Sequence, residues 1–175
     1  MNPWEEYPEI WSTKAKWFSY LRGCLRKAWN TNPIKITVTN ERRKQIPNPN
    51  PKGKKPTVWG ATCECCGNDF VMKDIQVDHM IPAGSLKETS DIQGFVERLL
   101  YVKKEDIRLV CKGCHNIITD AERKGISFEE AVVLKRIRDM SIEEQKEVLD
   151  KHGLKSNNKK LRDEGLTMLA KEGKI

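Results

Sequence analysis

Apolar side chains recur at Trp11, Ala15, Phe18, Leu21, Leu25, Ala28 and Trp29. Steps of three and four place them on one face of a helix, roughly from Ser12 to Trp29. Lys14, Lys16, Arg22, Arg26 and Lys27 share the remaining surface. The next segment, "IKITVT", alternates with period two and predicts a short strand. Periodicity then breaks in "ERRKQIPNPNPKGKKPTVWG", where Pro47, Pro49, Pro51 and Pro56 predict a semi-extended linker. Further on, "SDIQGFVERLLYV" opens with a capping-box pattern, Ser90 to Gln93, and predicts an inserted helix. The tail reads as helical throughout. Ser127 caps one helix, Ser141 with Glu144 caps a second that Gly153 ends, and a third covers about 158–171. Two helices around a Gly turn are compatible with a helix-turn-helix. The tail's 11 basic against 10 acidic residues favour packing instead.

Composition narrows the class. The 175 residues suit one small domain with helical extensions, and 38% hydrophobic against 33% charged residues allows only a modest core. A structural staple such as a metal would help such a core. Of the net charge of +7, residues 1–60 carry 12 Lys+Arg against 4 Asp+Glu, a surplus of +8. Residues 61–175 carry 20 against 21, which is −1. The acidic start "MNPWEEYPEI" lacks the apolar core of a secretory leader, and no apolar run approaches the ~18 residues of a membrane span. A soluble, cytoplasmic protein without a membrane partner is expected.

Six cysteines in such a chain point to metal binding rather than disulfides. Cys63-x-x-Cys66 and Cys111-x-x-Cys114 form two pairs separated by 44 residues. Each short turn aims two thiolates at one point, so the pairs can converge on a tetrahedral, structural Zn2+. Gly67 and Gly113 suit tight turns at these pairs. A thioredoxin-like redox pair would need a βαβ context that is absent. Cys65 and Cys24, the latter near the apolar face of the first helix, are expected to be bystanders.

Two of the three histidines lie beside this chemistry. Asp78-His79 ends a strand-like stretch, "DIQVDHMIP", and His115 directly follows Cys114 at a helix start. With zinc fixing Cys114, the strand carrying Asp78 can lie against that helix so that Asp78 and His115 share a hard cation. His79 alternates to the other strand face, toward substrate. An imidazole titrating near neutral pH then serves as general base on a water.

The set "C-x2-CG … VDHMIP … IRLVCKGCH" resembles the HNH (ββα-metal) endonucleases of the four-cysteine type over about residues 60–124. Looser similarity to small phage-encoded members extends to both flanks. The resemblance implies metal-dependent DNA cleavage with His79 as general base. Asp78 and His115 would ligate Mg2+, Mn2+ or another divalent cation, and the four named cysteines the zinc. It also implies DNA, taken as double-stranded, as the partner, with a second copy or a phage packaging protein as a candidate further partner, and the host cytoplasm as the location if the chain is phage-encoded. Two positions depart from the family pattern. Asp106 replaces the middle Asn, where its carboxylate could orient the His79 N–H, and Ile118 replaces a frequent Lys.

The expected fold class is α+β, mainly helical: a zinc-stapled ββα-metal core with an N-terminal basic helix and a C-terminal helical tail. The expected parts are a basic helix and arm (1–60), a nuclease core (61–125) and a helical tail (126–175). Phosphate neutralisation assigns DNA binding to Lys14, Lys16, Arg22, Arg26, Lys27, Arg42, Arg43, Lys44, Lys52, Lys54 and Lys55. Lys103, Lys104 and Arg108 could add to it. Two other classes compete with the enzyme. One is a catalytically lapsed, zinc-stabilised nucleic-acid-binding module, and the other a zinc-scaffolded protein-interaction domain.

Overall fold

The structure is a computed structural model that describes residues 2–50, 52 and 54–174. It is α+β, with helices predominating over two small antiparallel sheets. By contacts the chain divides into two compact units, Met1–Lys112 and Gly113–Ile175.

The first unit begins with two short Pro-initiated turns, α1 (Pro3–Glu6) and α2 (Pro8–Trp11). The long basic helix follows as α3 (Lys14–Asn30). Its cap is Thr13, which accepts the Lys16 N–H, while Ser12 ends α2 with φ +48°.

The predicted strand at "IKITVT" is instead helix α4 (Pro33–Arg42). The cause lies just upstream. The Asn32 side chain accepts the N–H groups of Ile34 (2.9 Å) and Lys35 (3.4 Å), and Pro33 is preset for the first helical position. Ile34 and Val38, four residues apart, then face the core, and Ile36 remains exposed.

The Pro-rich arm also contains strands where a linker was expected. Strand β1 (Lys44–Pro47) pairs with β2 (Thr57–Thr62), and β2 with β3 (Asp69–Val71). Gly60 is required at the centre. A Cβ there would stand 2.4 Å from Ile46 Cδ1 and 2.5 Å from the Phe70 carbonyl.

Strand β4 (Ile75–His79) pairs antiparallel with β5 (Ile107–Cys111), with Asp78 opposite Arg108 and His79 opposite Ile107. Helix α5 (Asp91–Leu100) is inserted between them. The Ser90 side chain makes no cap. Asp91 anchors the entry instead, its Oδ2 accepting the N–H groups of Lys87 (2.8 Å) and Glu88 (2.9 Å). That pairing holds the Asp91 carboxyl below its usual range. Phe18, Trp29, Val38, Leu86, Phe95, Leu99 and Ile107 form the buried core of this unit, joining α3, α4, α5 and β5.

Helix α6 (Lys112–Lys124) continues directly from β5, so Gly113 lies in its first turn rather than in a separate tight turn. The second unit then contains α7 (Phe128–Asp139), α8 (Ile142–Lys151) and α9 (Lys159–Lys171). Ser127 and Ser141 make the expected capping boxes with Glu130 and Glu144, and Gly153 ends α8 at φ +67°. Ile137, Leu149, Leu166 and Leu169 are its buried centre. No helix among the described residues is long and apolar enough to cross a membrane.

Candidate metal centre and histidine site

Strand β2 delivers the chain into the first cysteine turn. There the Cys63 N–H donates to Asn68 O (2.9 Å) and the Gly67 N–H to Cys63 O (2.8 Å), with Gly67 at φ +72°. Glu64, inside the turn, fastens it to β5. Its N–H donates to Leu109 O at 2.9 Å and its Oε1 accepts the Leu109 N–H at 2.8 Å. Strand β5 supplies Cys111, whose N–H donates to Cys63 Sγ at 3.2 Å, and the first turn of α6 supplies Cys114.

The outcome is a cluster in which the sulfurs of Cys63, Cys66, Cys111 and Cys114 all lie within 4.8 Å of one another. Tetrahedral zinc with Zn–S bonds of about 2.3 Å needs sulfurs about 3.8 Å apart, so the donor set fits. Cys63, Cys111 and Cys114 are buried and Cys66 is exposed. Burial pushes the Cys63 thiol up. Backbone N–H groups of Cys111, Cys66 and Cys65, with the Cys66 side chain, outweigh it and bring Cys63 down to about 6. Thiolate character at neutral pH is what a zinc ligand needs. Cys65 differs: burial raises its thiol, Arg108 opposes this, and Cys63, Asp78 and Cys66 add to it. Cys24 is exposed rather than set in the apolar face of α3.

The two residues closing β4 point to opposite faces. Asp78 is buried at 8% exposure, and Arg108 Nε donates to its Oδ2 at 2.9 Å. His79 is half-buried, its ring centroid 4.3 Å from that of Trp29 and its Nε2 3.1 Å from the Leu99 carbonyl. A carbonyl can only accept, so Nε2 carries the proton of the neutral ring and Nδ1 holds the lone pair. His115 is half-buried in the first turn of α6.

Asp106 does not orient the imidazole through its side chain. Its Oδ2 accepts the Lys103 N–H at 2.7 Å, and the Leu99 carbonyl takes the orienting position. The Asp106 backbone carbonyl instead accepts the Met80 N–H at 2.8 Å, extending the β4–β5 ladder past His79. A cavity of about 210 Å3 beside His79 is lined by Ile81, Glu97, Arg98, Tyr101, Val102 and Asp106.

The basic residues of the N-terminal third fall into two groups. Arg22 Nη1 donates to Leu86 O (2.7 Å) and Lys16 Nζ to Ile10 O (2.8 Å). Arg42 donates to Glu64 Oε1 (2.7 Å), Ile107 O (3.1 Å) and Lys104 O (3.2 Å). Lys14 pairs with Glu88 and Lys44 with Asp69, while Arg43 covers the Trp59 ring at 4.6 Å. Lys104 pairs with Glu41. Arg26, Lys27, Lys52, Lys54 and Lys55 are simply exposed.

Sequence patterns pointed to the cysteines, but to Trp29 only as an apolar helix position, and not to Glu64 or the Leu99 carbonyl. Glu64 carried no signal beyond its place between two ligands. A backbone carbonyl such as that of Leu99 carries none at all. The chain matches no family model, no curated protein and no solved structure.

Proposed function

We propose that this chain is a metal-dependent endonuclease of HNH type that hydrolyses DNA phosphodiester bonds. The observation that carries the reading is the setting of His79: its Nε2 lies 3.1 Å from the Leu99 carbonyl, which suits the tautomer with the proton on Nε2, and the ring lines a cavity. An imidazole in that tautomer is a ready general base. In the proposed step His79 Nδ1 takes a proton from water and the oxygen attacks phosphorus. The P–O bond to the leaving sugar oxygen breaks, and that oxygen leaves with a proton from solvent.

Asp78 and His115 are the residues that would hold a divalent cation such as Mg2+ or Mn2+. When bound, that cation would offset the negative charge on the phosphate and the leaving oxygen. A carboxylate has room for about four partners, so the Arg108 bond to Asp78 leaves it capable of this. The four cysteines would hold zinc as a staple, tying the Cys63 turn to the end of β5. Arg26, Lys27, Lys52, Lys54 and Lys55, which are exposed and whose side chains make no hydrogen bond or ion pair among the described residues, are the grip on the phosphate backbone.

A second reading rests on one observation. Ile118, at the position where the resemblance leads one to expect Lys, is buried at 6% exposure. Loss of that cation favours a binding module whose chemistry has lapsed. Supercoiled plasmid incubated with magnesium or manganese separates the two. Nicking by the wild type and not by His79→Ala supports the nuclease; binding without nicking supports the module.

A further inference from the structure

The cavity beside His79 has a single Arg or Lys in its wall, Arg98. It precedes Leu99, the residue whose carbonyl holds the His79 ring. The Arg98 Nε–H donates to the Ala83 carbonyl at 3.0 Å, in the loop that follows His79. No acceptor among the described residues takes a hydrogen bond from its two Nη groups. Glycines make room for them. A Cβ on Gly94 would come 2.9 Å from Nη1, and one on Gly84, at φ +80°, 3.3 Å from Nη2.

The acids nearby are otherwise engaged. Glu97 Oε1 accepts from Gln93 at 2.9 Å, and Asp106 Oδ2 from the Lys103 N–H. Asp91, which feels the Arg98 charge, holds the Lys87 and Glu88 N–H groups. A guanidinium anchored through Nε presents four N–H donors in a planar fork that matches phosphate oxygens. Around it the rim is apolar and open, with Tyr101 87% and Ile81 68% exposed. Both large side chains offer apolar contact surface beside the fork.

We propose that this cavity is a nucleotide subsite: Arg98 holds a backbone phosphate of the strand beside His79, and Tyr101 supports the adjoining sugar or base. The proposal rests on the nuclease reading and supplies the cation that Ile118 does not. A purely bracing role for Arg98, tying α5 to the loop at Ala83, makes different predictions.

The test uses full-length, zinc-loaded wild type, Arg98→Ala, Arg98→Lys and Tyr101→Ala. Affinity for a labelled duplex is measured against salt without added magnesium or manganese, and single-turnover cleavage with manganese. Arg98→Ala is expected to flatten the salt dependence by a slope of ~0.9, one phosphate contact. It is also expected to slow cleavage by ~100-fold, as loss of one charge-stabilising donor does. Arg98→Lys restores the slope and only part of the rate, and Tyr101→Ala weakens binding with the slope unchanged. Wild-type slope and rate in Arg98→Ala would overturn the subsite and leave the nuclease, even if melting fell. A wild type that binds and never cuts, with Arg98→Ala still flattened, would remove the nuclease and keep the phosphate site. A wild type that does not bind duplex overturns both.

Discussion

The Nε2 atom of His79 and the carbonyl oxygen of Leu99 stand 3.1 Å apart, joining the end of β4 to the last turn of α5. The inserted segment between β4 and β5 is therefore more than a spacer. It returns to fix the ring of the residue that precedes it. Trp29, from α3, packs against that ring, the two centroids 4.3 Å apart. Nitrogen-15 NMR of the neutral protein should show Nε2 protonated and Nδ1 bare; the opposite tautomer would assign the proton-accepting role to the wrong atom.

Trp29 couples stability to this geometry because it is both a core residue, 8% exposed, and the ring neighbour of His79. Trp29→Ala should cost about 3–5 kcal/mol, as large aromatic truncations in cores do. Trp29→Phe keeps a ring against His79 and should cost less. Urea denaturation checks the order. In single-turnover assays the Phe variant should keep more of the cleavage rate than the Ala variant.

The proposed zinc staple makes a compositional prediction. Purified without chelator, the protein should carry one zinc per chain by elemental analysis. Cys111→Ser and Cys63→Ser should each lose it and melt at a lower temperature, because ligand loss at the site removes folding free energy. Cys65→Ser and Cys24→Ser should retain the metal. Zinc retained in Cys111→Ser would remove that cysteine from the ligand set.

The thiol chemistry has a pH signature in the metal-free protein. Cys63 is brought down from its ordinary value of 9.0 to about 6. Its contribution to stability is therefore fully present above about pH 9. It declines as pH falls from 9 toward 6, and below 6 it is gone. Thiolate absorbance should show a group titrating near 6, and Cys63→Ser should abolish that step.

Much of this was legible in the chain and some was not, for definite reasons. Ser127 and Ser141 act as caps because a side-chain acceptor and a Glu three residues on are local signals that no distant contact overrode. The cysteine pairs were legible because spacing alone aims their thiolates. The same reliance on local signals failed at "IKITVT". There the period-two alternation was outweighed by the Asn32 cap, by Pro33 and by burial of Val38. In the arm, the prolines hid a hairpin because Pro47 sits at the end of β1, an edge strand that can do without its N–H. Ser90 looked like a cap, yet Asp91 took the loop N–H groups first. The Leu99 carbonyl was out of reach in principle, since every residue has one.

Basic residues that looked alike in sequence should behave differently. Arg42→Ala removes bonds to Glu64 Oε1 and to two carbonyls of a partly buried site. It should lower stability by roughly 1–3 kcal/mol with little change in the salt dependence of DNA binding. Lys54→Ala with Lys55→Ala should do the reverse, reducing the salt slope by up to ~1.8 for two phosphates with melting unchanged. Fluorescence anisotropy against salt, beside thermal melts, reads both. Identical slopes in all variants would remove the arm from the interface.

The central claim, that His79 activates a water against a DNA phosphate, is tested most directly by cleaving duplex in oxygen-18 water and weighing the product. Zinc-loaded wild type with manganese should place one heavy oxygen in the terminal phosphate, and equally folded His79→Ala should yield no product. Cleavage at the wild-type rate by His79→Ala, or a product phosphate without the heavy oxygen, would contradict it.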